Sequence, residues 1–187
     1  MLNSFFDKYI FTNNLKYTHN NFYLANIPFL IAPVEVITSA MEVQDPELHR
    51  KIYASMKKNV KSDLTKQFDV DFGLNREKAL ELMMTFFTAS GWGKVQTIDL
   101  DFNGKRAILL VENSPVAQAL KGKVSWPVDV MLRGIFAGIF SNAFGVDVDC
   151  VESECAALKA QACKFIIKPQ SEFDLSTREV RDQLVFE

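Results

Sequence analysis

The sequence predicts an α+β domain, an antiparallel sheet built from hairpins and packed on a layer of helices. Two observations carry this. Helical periodicity is grouped in the middle of the chain with hairpin signals on both sides, rather than alternating as in βαβ units. One segment, about 127–144, is apolar on nearly every face and therefore reads as a largely buried helix. At 187 residues the chain fits a single domain that buries roughly 70% of its unfolded surface, so its core needs no disulfides. Residues 1–32 read as an N-terminal hairpin or arm, and 33–187 as the domain body.

The arm consists of two aromatic-rich, β-prone runs, 5–16 and 22–31, joined through 17–21, where Asn20-Asn21 tolerates the left-handed backbone of a turn. Pro33 opens a helix through Ala40. Asp45 then caps a longer helix with Pro46 at its first position. Leu48, Ile52, Met56, Val60 and Leu64 recur every fourth residue as its buried stripe. Arg50, Lys51, Lys57, Lys58, Lys61 and Lys66 form the solvated face. Asn75 caps a third helix that buries Leu80, Met83, Met84 and Phe87, and Gly91 supplies its left-handed stop.

Segments 95–102 and 106–112 form a hairpin around Asn103-Gly104, the strongest short turn signal available. Ser114-Pro115 opens a helical turn to Leu120. Pro127 begins the apolar helix, in which Gly134 and Gly138 cost about 1 kcal/mol each against alanine. They permit close approach of another backbone or of a bound ligand. Gly145 ends the helix, and 146–154 and 161–168 are strands around the connection 155–162. Ser176 and Glu179 form a capping box for a C-terminal helix ending near Phe186.

Composition narrows the function classes. A net charge of −2 and a pI near 5.8 argue against a nucleic-acid footprint. The longest apolar stretch, 22–36, is interrupted by Asn26, Pro28 and Pro33, so no membrane span is expected. Asn3, Asp7 and Lys8 occupy the place of a signal-peptide core, which points to a cytoplasmic protein with reduced thiols. Glycine-rich phosphate loops, the G-x-S-x-G elbow and H-E-x-x-H are absent from the sequence. His19, His49, Trp92 and Trp126 stand in no catalytic constellation and read as structural or surface groups.

The densest chemistry lies in Asp149–Phe165, DCVESECAALKAQACKF, which holds all three cysteines, Cys150, Cys155 and Cys163, together with Glu152 and Glu154. Thiolates and a carboxylate gathered at a short hairpin are a zinc donor set. Glu152 and Cys155 are three apart, so a continuous strand points them to opposite faces. They converge only if the strand ends or bulges before Cys155, with Cys163 returning beside it. The alternative is that the cysteines are small buried hydrophobes; spacing alone leaves both open.

A helix containing Gly134-Ile-Phe-Ala-Gly138, then Val151-Glu-Ser-Glu-Cys155, then Cys163-Lys-Phe165 resembles the 4-vinyl-reductase-like (vinyl-4-reductase, hydrocarbon-binding) domain family over the motif core 127–167. The resemblance implies an α+β domain, usually dimeric, that shares its fold with transport-protein-particle (TRAPP) subunits of the Golgi. Such domains occur alone in archaea, giving an archaeal-type single-domain protein, and as sensors of aromatic effectors in bacterial regulators. One lineage is linked to vinyl reduction in bacteriochlorophyll synthesis.

The family's metal motif of Glu, Cys three residues on and Cys eight beyond falls on Glu152, Cys155 and Cys163. Its fourth ligand, a cysteine five residues before the first helix glycine, is here Asp129. Asp129 either ligates through a carboxylate oxygen or pairs with Arg133 at i,i+4. The resemblance further implies a structural zinc bracing an interior pocket for a small lipophilic or aromatic ligand. Met131, Ile135, Phe136, Ile139 and Phe140, with Phe86, Phe87 and Trp92, are the candidate lining.

The first expectation for function is thus a homodimeric sensor or carrier without catalysis of its own. The chain lacks an acid–base pair and a dinucleotide fingerprint, which favours it over an accessory or catalytic component of a tetrapyrrole vinyl reductase. A TRAPP-like interaction scaffold is the third reading.

Overall fold

The structure, a computed structural model, describes residues 15–24, 27–61 and 76–184. The expected strand over 5–14, Leu64, the Asn75 cap and Phe186 lie outside them. The arm is a three-stranded antiparallel meander of β1 (Leu15–Thr18), β2 (Asn21–Leu24) and β3 (Ile27–Phe29) rather than one hairpin. Its first reversal is at His19 and Asn20, with φ of 50° and 63°, one residue earlier than the expected Asn-Asn turn. Thr18 pairs directly with Asn21, so Asn21 is already in β2.

The domain body begins with α1 (Glu35–Met41) and α2 (Pro46–Asn59). Asp45 caps α2 as expected, its Oδ1 accepting the Glu47 and Leu48 amides at 2.9 and 3.2 Å. The buried face of α2 is rotated from the expected stripe. Tyr53 is its most deeply buried residue at 1% exposure, while Leu48, Ile52 and Met56 are only half-buried.

Next come α3 (Arg76–Ala89), β4 (Lys94–Asp101), β5 (Arg106–Glu112) and α4 (Pro115–Ala119). Gly91 (φ 89°) ends α3 with Trp92 N–H donating to the Phe87 carbonyl, a left-handed stop of the expected kind. The β4–β5 turn differs from the two-residue form that Asn-Gly suggests. It spans 102–105, Lys105 takes the left-handed position (φ 57°), and the Asp101 carboxylate accepts the Asn103 and Gly104 amides. A side chain at Gly104 would collide with that carboxylate.

The apolar helix α5 (Val130–Phe144) starts three residues later than expected, because 127–129 are held out of the helix. The Asp129 amide donates to Glu152 at 3.0 Å and its side chain does not cap. β6 (Asp149–Glu154), β7 (Cys163–Lys168) and α6 (Arg178–Leu184) follow. The Ser176–Glu179 capping box is not formed through Ser176, whose hydroxyl donates to Asp174 at 2.6 Å.

The four strands form an antiparallel sheet in the order β4-β5-β7-β6. Phe136 of α5 meets Phe165 of β7 and Phe87 of α3 edge-on at 5.2 and 6.3 Å, knitting helices to sheet. Across α5, Gly134 and Gly138 lie against α2. A Cβ there would stand 2.7 Å from the Tyr53 and Lys57 carbonyl oxygens respectively. Of the two partners open to these glycines, the structure supplies the backbone of α2.

Candidate metal centre

The hairpin β6–β7 solves the spacing problem posed by Glu152 and Cys155. Glu152 pairs with Phe165 and Glu154 with Lys164, so a bulge falls between Glu152 and Glu154. The strand then ends at Glu154, and Cys155 leads into the 3-10 turn Ala156–Leu158. Lys159, in the left-handed region (φ 86°), turns the chain back toward β7. Bulge and strand end together bring Cys155 to the side of Glu152. One ligand atom each from Glu152, Cys155 and Cys163 lies within 4.8 Å of the others. Two thiols and a carboxylate this close together are donor types that would hold a zinc ion.

Burial makes this arrangement costly without a cation. Glu152, Cys155 and Cys163 are at most 4% exposed, and Asp129 is 2% exposed. Asp129 Oδ1 accepts from the Ser114 hydroxyl at 2.9 Å, and Glu152 Oε2 from the Asp129 amide. The second oxygen of each carboxylate, Asp129 Oδ2 and Glu152 Oε1, is buried without any hydrogen-bond partner. Orphaned buried oxygens of this kind are rare; Glu152 belongs to the cluster of possible ligands, whereas the expected fourth ligand, Asp129, is not among the atoms that the structure brings within 4.8 Å of one another.

Electrostatics agree. Desolvation pushes the Asp129 carboxyl up to about 6, against the hydrogen bond from Ser114. Desolvation, then the Asp129 charge, raises Glu152 well above the usual carboxylate range. The Cys163 hydrogen bond draws Cys155 down to about 6, while that same bond, with burial, raises Cys163. The Ala156 amide, 3.3 Å from Cys163 Sγ, adds a donor to the cluster.

Asp129 does not form the alternative ion pair with Arg133, whose guanidinium turns instead to the Cys150 and Gln183 carbonyls at 3.1 and 2.7 Å. Cys150 stands outside the cluster, fully buried, with its thiol held protonated by desolvation. Glu154 is exposed and paired with Lys164 at 3.4 Å.

The expected pocket residues divide. Phe136, Ile139 and Phe140 are at most 1% exposed, Ile135 and Phe87 are buried, and Phe86, Trp92 and Met131 are half-buried. Trp92 and Met131 meet across a crevice with no room for a water-sized guest. Phe140 alone of the eight reaches a groove of about 540 Å³ between α3 and β4, floored by Leu80, Met84, Val95 and Leu100. Sequence reasoning missed those floor residues on β4 and also missed Ser114. The Ser-Pro signal identifies Ser114 as a helix cap, which it is, but carries nothing about its second bond to Asp129.

Residues 108–169, from β5 through β7, match the family model of the vinyl-4-reductase (V-4-R) domain. The matched segment contains all four candidate ligands. None of the curated proteins matches this sequence. Among solved structures, the phenol-responsive sensory domain of the transcription activator PoxR, determined with phenol, is similar at TM-score 0.73 and 17% identity, covering 94% of each chain. A trafficking protein particle complex subunit 3 from Naegleria fowleri, covalently bound to palmitic acid, is similar at TM-score 0.52 and 12% identity, over 71% of this chain and 87% of that one. A vinyl-4-reductase family protein from Methanocaldococcus jannaschii gives TM-score 0.45 at 15% identity, over 75% and 96%. The chain thus shares its fold with a sensory domain and a trafficking subunit.

Proposed function

We propose that this domain is a non-catalytic sensor or carrier for a small aromatic or lipophilic molecule, braced by a structural zinc ion on Glu152, Cys155, Cys163 and Asp129. The observation that carries the ligand reading is the groove between α3 and β4, whose volume of about 540 Å³ falls in the range of small-molecule sites. Its floor of Leu80, Met84, Val95, Leu100 and Phe140 takes an apolar body, and its rim of Glu77, Glu81 and Lys94 offers a hydroxyl hydrogen-bond partners. The phenol held by the PoxR domain is a molecule of this chemistry.

Zinc supplies a cross-link among the β6–β7 hairpin and the residue preceding α5, and relieves the two orphaned oxygens. Ser114 holds the Asp129 carboxylate in place through the 2.9 Å bond. The domain works as a cytoplasmic homodimer, and Leu30, Ile31 and Tyr17, between 63% and 83% exposed, are apolar surface that a second copy would cover.

Two measurements test this reading. Elemental analysis of protein purified without chelator should find about one zinc per chain. A thermal-shift series with phenol, indole and palmitate should raise the midpoint, with the gain abolished by Leu80→Trp, which fills the groove. Metal-free protein that ignores all three probes would defeat the proposal.

A further inference from the structure

A second cleft, of about 430 Å³, opens where the start of α2, the loop before α5 and α6 meet. It shares no lining residue with the α3–β4 groove. Its wall includes Arg133, a guanidinium only 3% exposed. Nε and Nη2 are spent on the Cys150 and Gln183 carbonyls, and the group lies 4.7 Å from the Tyr53 ring centroid. Among the described residues, no carboxylate lies within ion-pair distance of it. Two carbonyls take two of its N–H groups and a ring lies against it, but no carboxylate touches its charge, Glu152 and Asp149 acting on it only from beyond ion-pair distance. A buried charge in that position is costly unless something anionic completes it.

The rest of the cleft describes what that anion is attached to. Trp126, half-buried and anchored by its indole N–H on the Met41 carbonyl at 3.3 Å, offers a ring face beside Pro127 and Val130. His49, its ring 6.3 Å from that of Trp126, has a buried Nε2 without a hydrogen-bond partner. Of the acids around the opening, two are engaged and Glu179 is exposed to solvent. Asp45 caps α2 through two backbone amides, and Asp182 pairs with Arg178 at 3.2 Å.

We propose that this cleft binds a small aromatic carboxylate, its carboxylate completing Arg133 and its ring lying against Trp126. The planar guanidinium matches a carboxylate in shape and charge. The volume accommodates a one-ring acid, and His49 is part of the lining. The occupant contacts α2, α5 and α6 together, so it joins the helix carrying Arg133 to the C-terminal helix.

Calorimetric titration of the full chain with benzoate and with its neutral isostere benzyl alcohol tests this, repeated in the presence of saturating phenol. The expected result is saturable benzoate binding at least about tenfold tighter than benzyl alcohol, unaffected by phenol, and weakened at least about fivefold in Trp126→Ala. Arg133→Met should abolish it, but that variant also loses two buried hydrogen bonds, so Trp126→Ala, folded by circular dichroism, is the decisive one. Absence of saturable binding, equal affinity for the alcohol, displacement by phenol, or full affinity in Trp126→Ala would each overturn the proposal.

Discussion

Tyr53 is the side chain on which the contact between α2 and the sheet turns. Its hydroxyl donates to Asp149 at 2.7 Å and accepts the Cys150 amide at 3.0 Å. Removing only that oxygen, in Tyr53→Phe, strands a buried amide and is expected to cost about 1–3 kcal/mol in urea unfolding; a loss within error would show that water replaces the hydroxyl. Nearby, burial pushes the Asp147 carboxyl up, but hydrogen bonds from Lys57 and Lys61 at 2.7 and 3.0 Å outweigh it and hold the group below its ordinary value. A carboxyl lowered in the folded chain stabilises above its unfolded pKa of about 3.9, and that stability is lost as pH falls through the folded value. The melting temperature should therefore decline below about pH 4, and Asp147→Asn should flatten that decline. That Glu152, Cys155 and Cys163 come together was left open by their spacing and was indicated by the family resemblance. Tyr53 was not legible: it lies off the every-fourth-residue stripe, and its partners are more than ninety positions away.

Elements were legible where their signals were internal. The Asp45–Pro46 start of α2 and the Gly91 end of α3 needed no tertiary information, since a cap or a left-handed stop is written in two or three residues. The start of α5 moved to Val130 because a distant carboxylate, Glu152, takes the Asp129 amide. The Asn-Gly turn lengthened because Asp101 supplied a competing local bond. Glycine chemistry in α5 is the sharpest test at this scale. Helix propensity alone makes Gly138→Ala stabilising by about 1 kcal/mol. Contact at 2.7 Å with the Lys57 carbonyl instead predicts a loss of about 1–3 kcal/mol from overpacking, read by thermal unfolding. The sign of the change decides between them.

For the whole molecule, the proposed zinc would make metal and fold interdependent, because it would neutralise the buried acid and thiols at one corner. Chelation is expected to lower the melting temperature by at least about 5 °C, since roughly 2–4 °C corresponds to 1 kcal/mol at this size. Cys163→Ser should start near the chelated value and show little further drop when chelator is added. An unchanged midpoint after verified metal removal would make the corner self-sufficient. The α+β architecture itself was readable from the order of helical and hairpin patterns. The position of the groove was not, because it depends on how α3 leans on β4, and no periodicity within either segment encodes that angle.

The main-chain contact at Gly134 and Gly138 also decides how the molecule flexes. Two rods touching backbone to backbone have no compressible side-chain layer between them, so rocking is resisted in one direction and opens a void in the other. The freedom that remains is sliding along the shared seam.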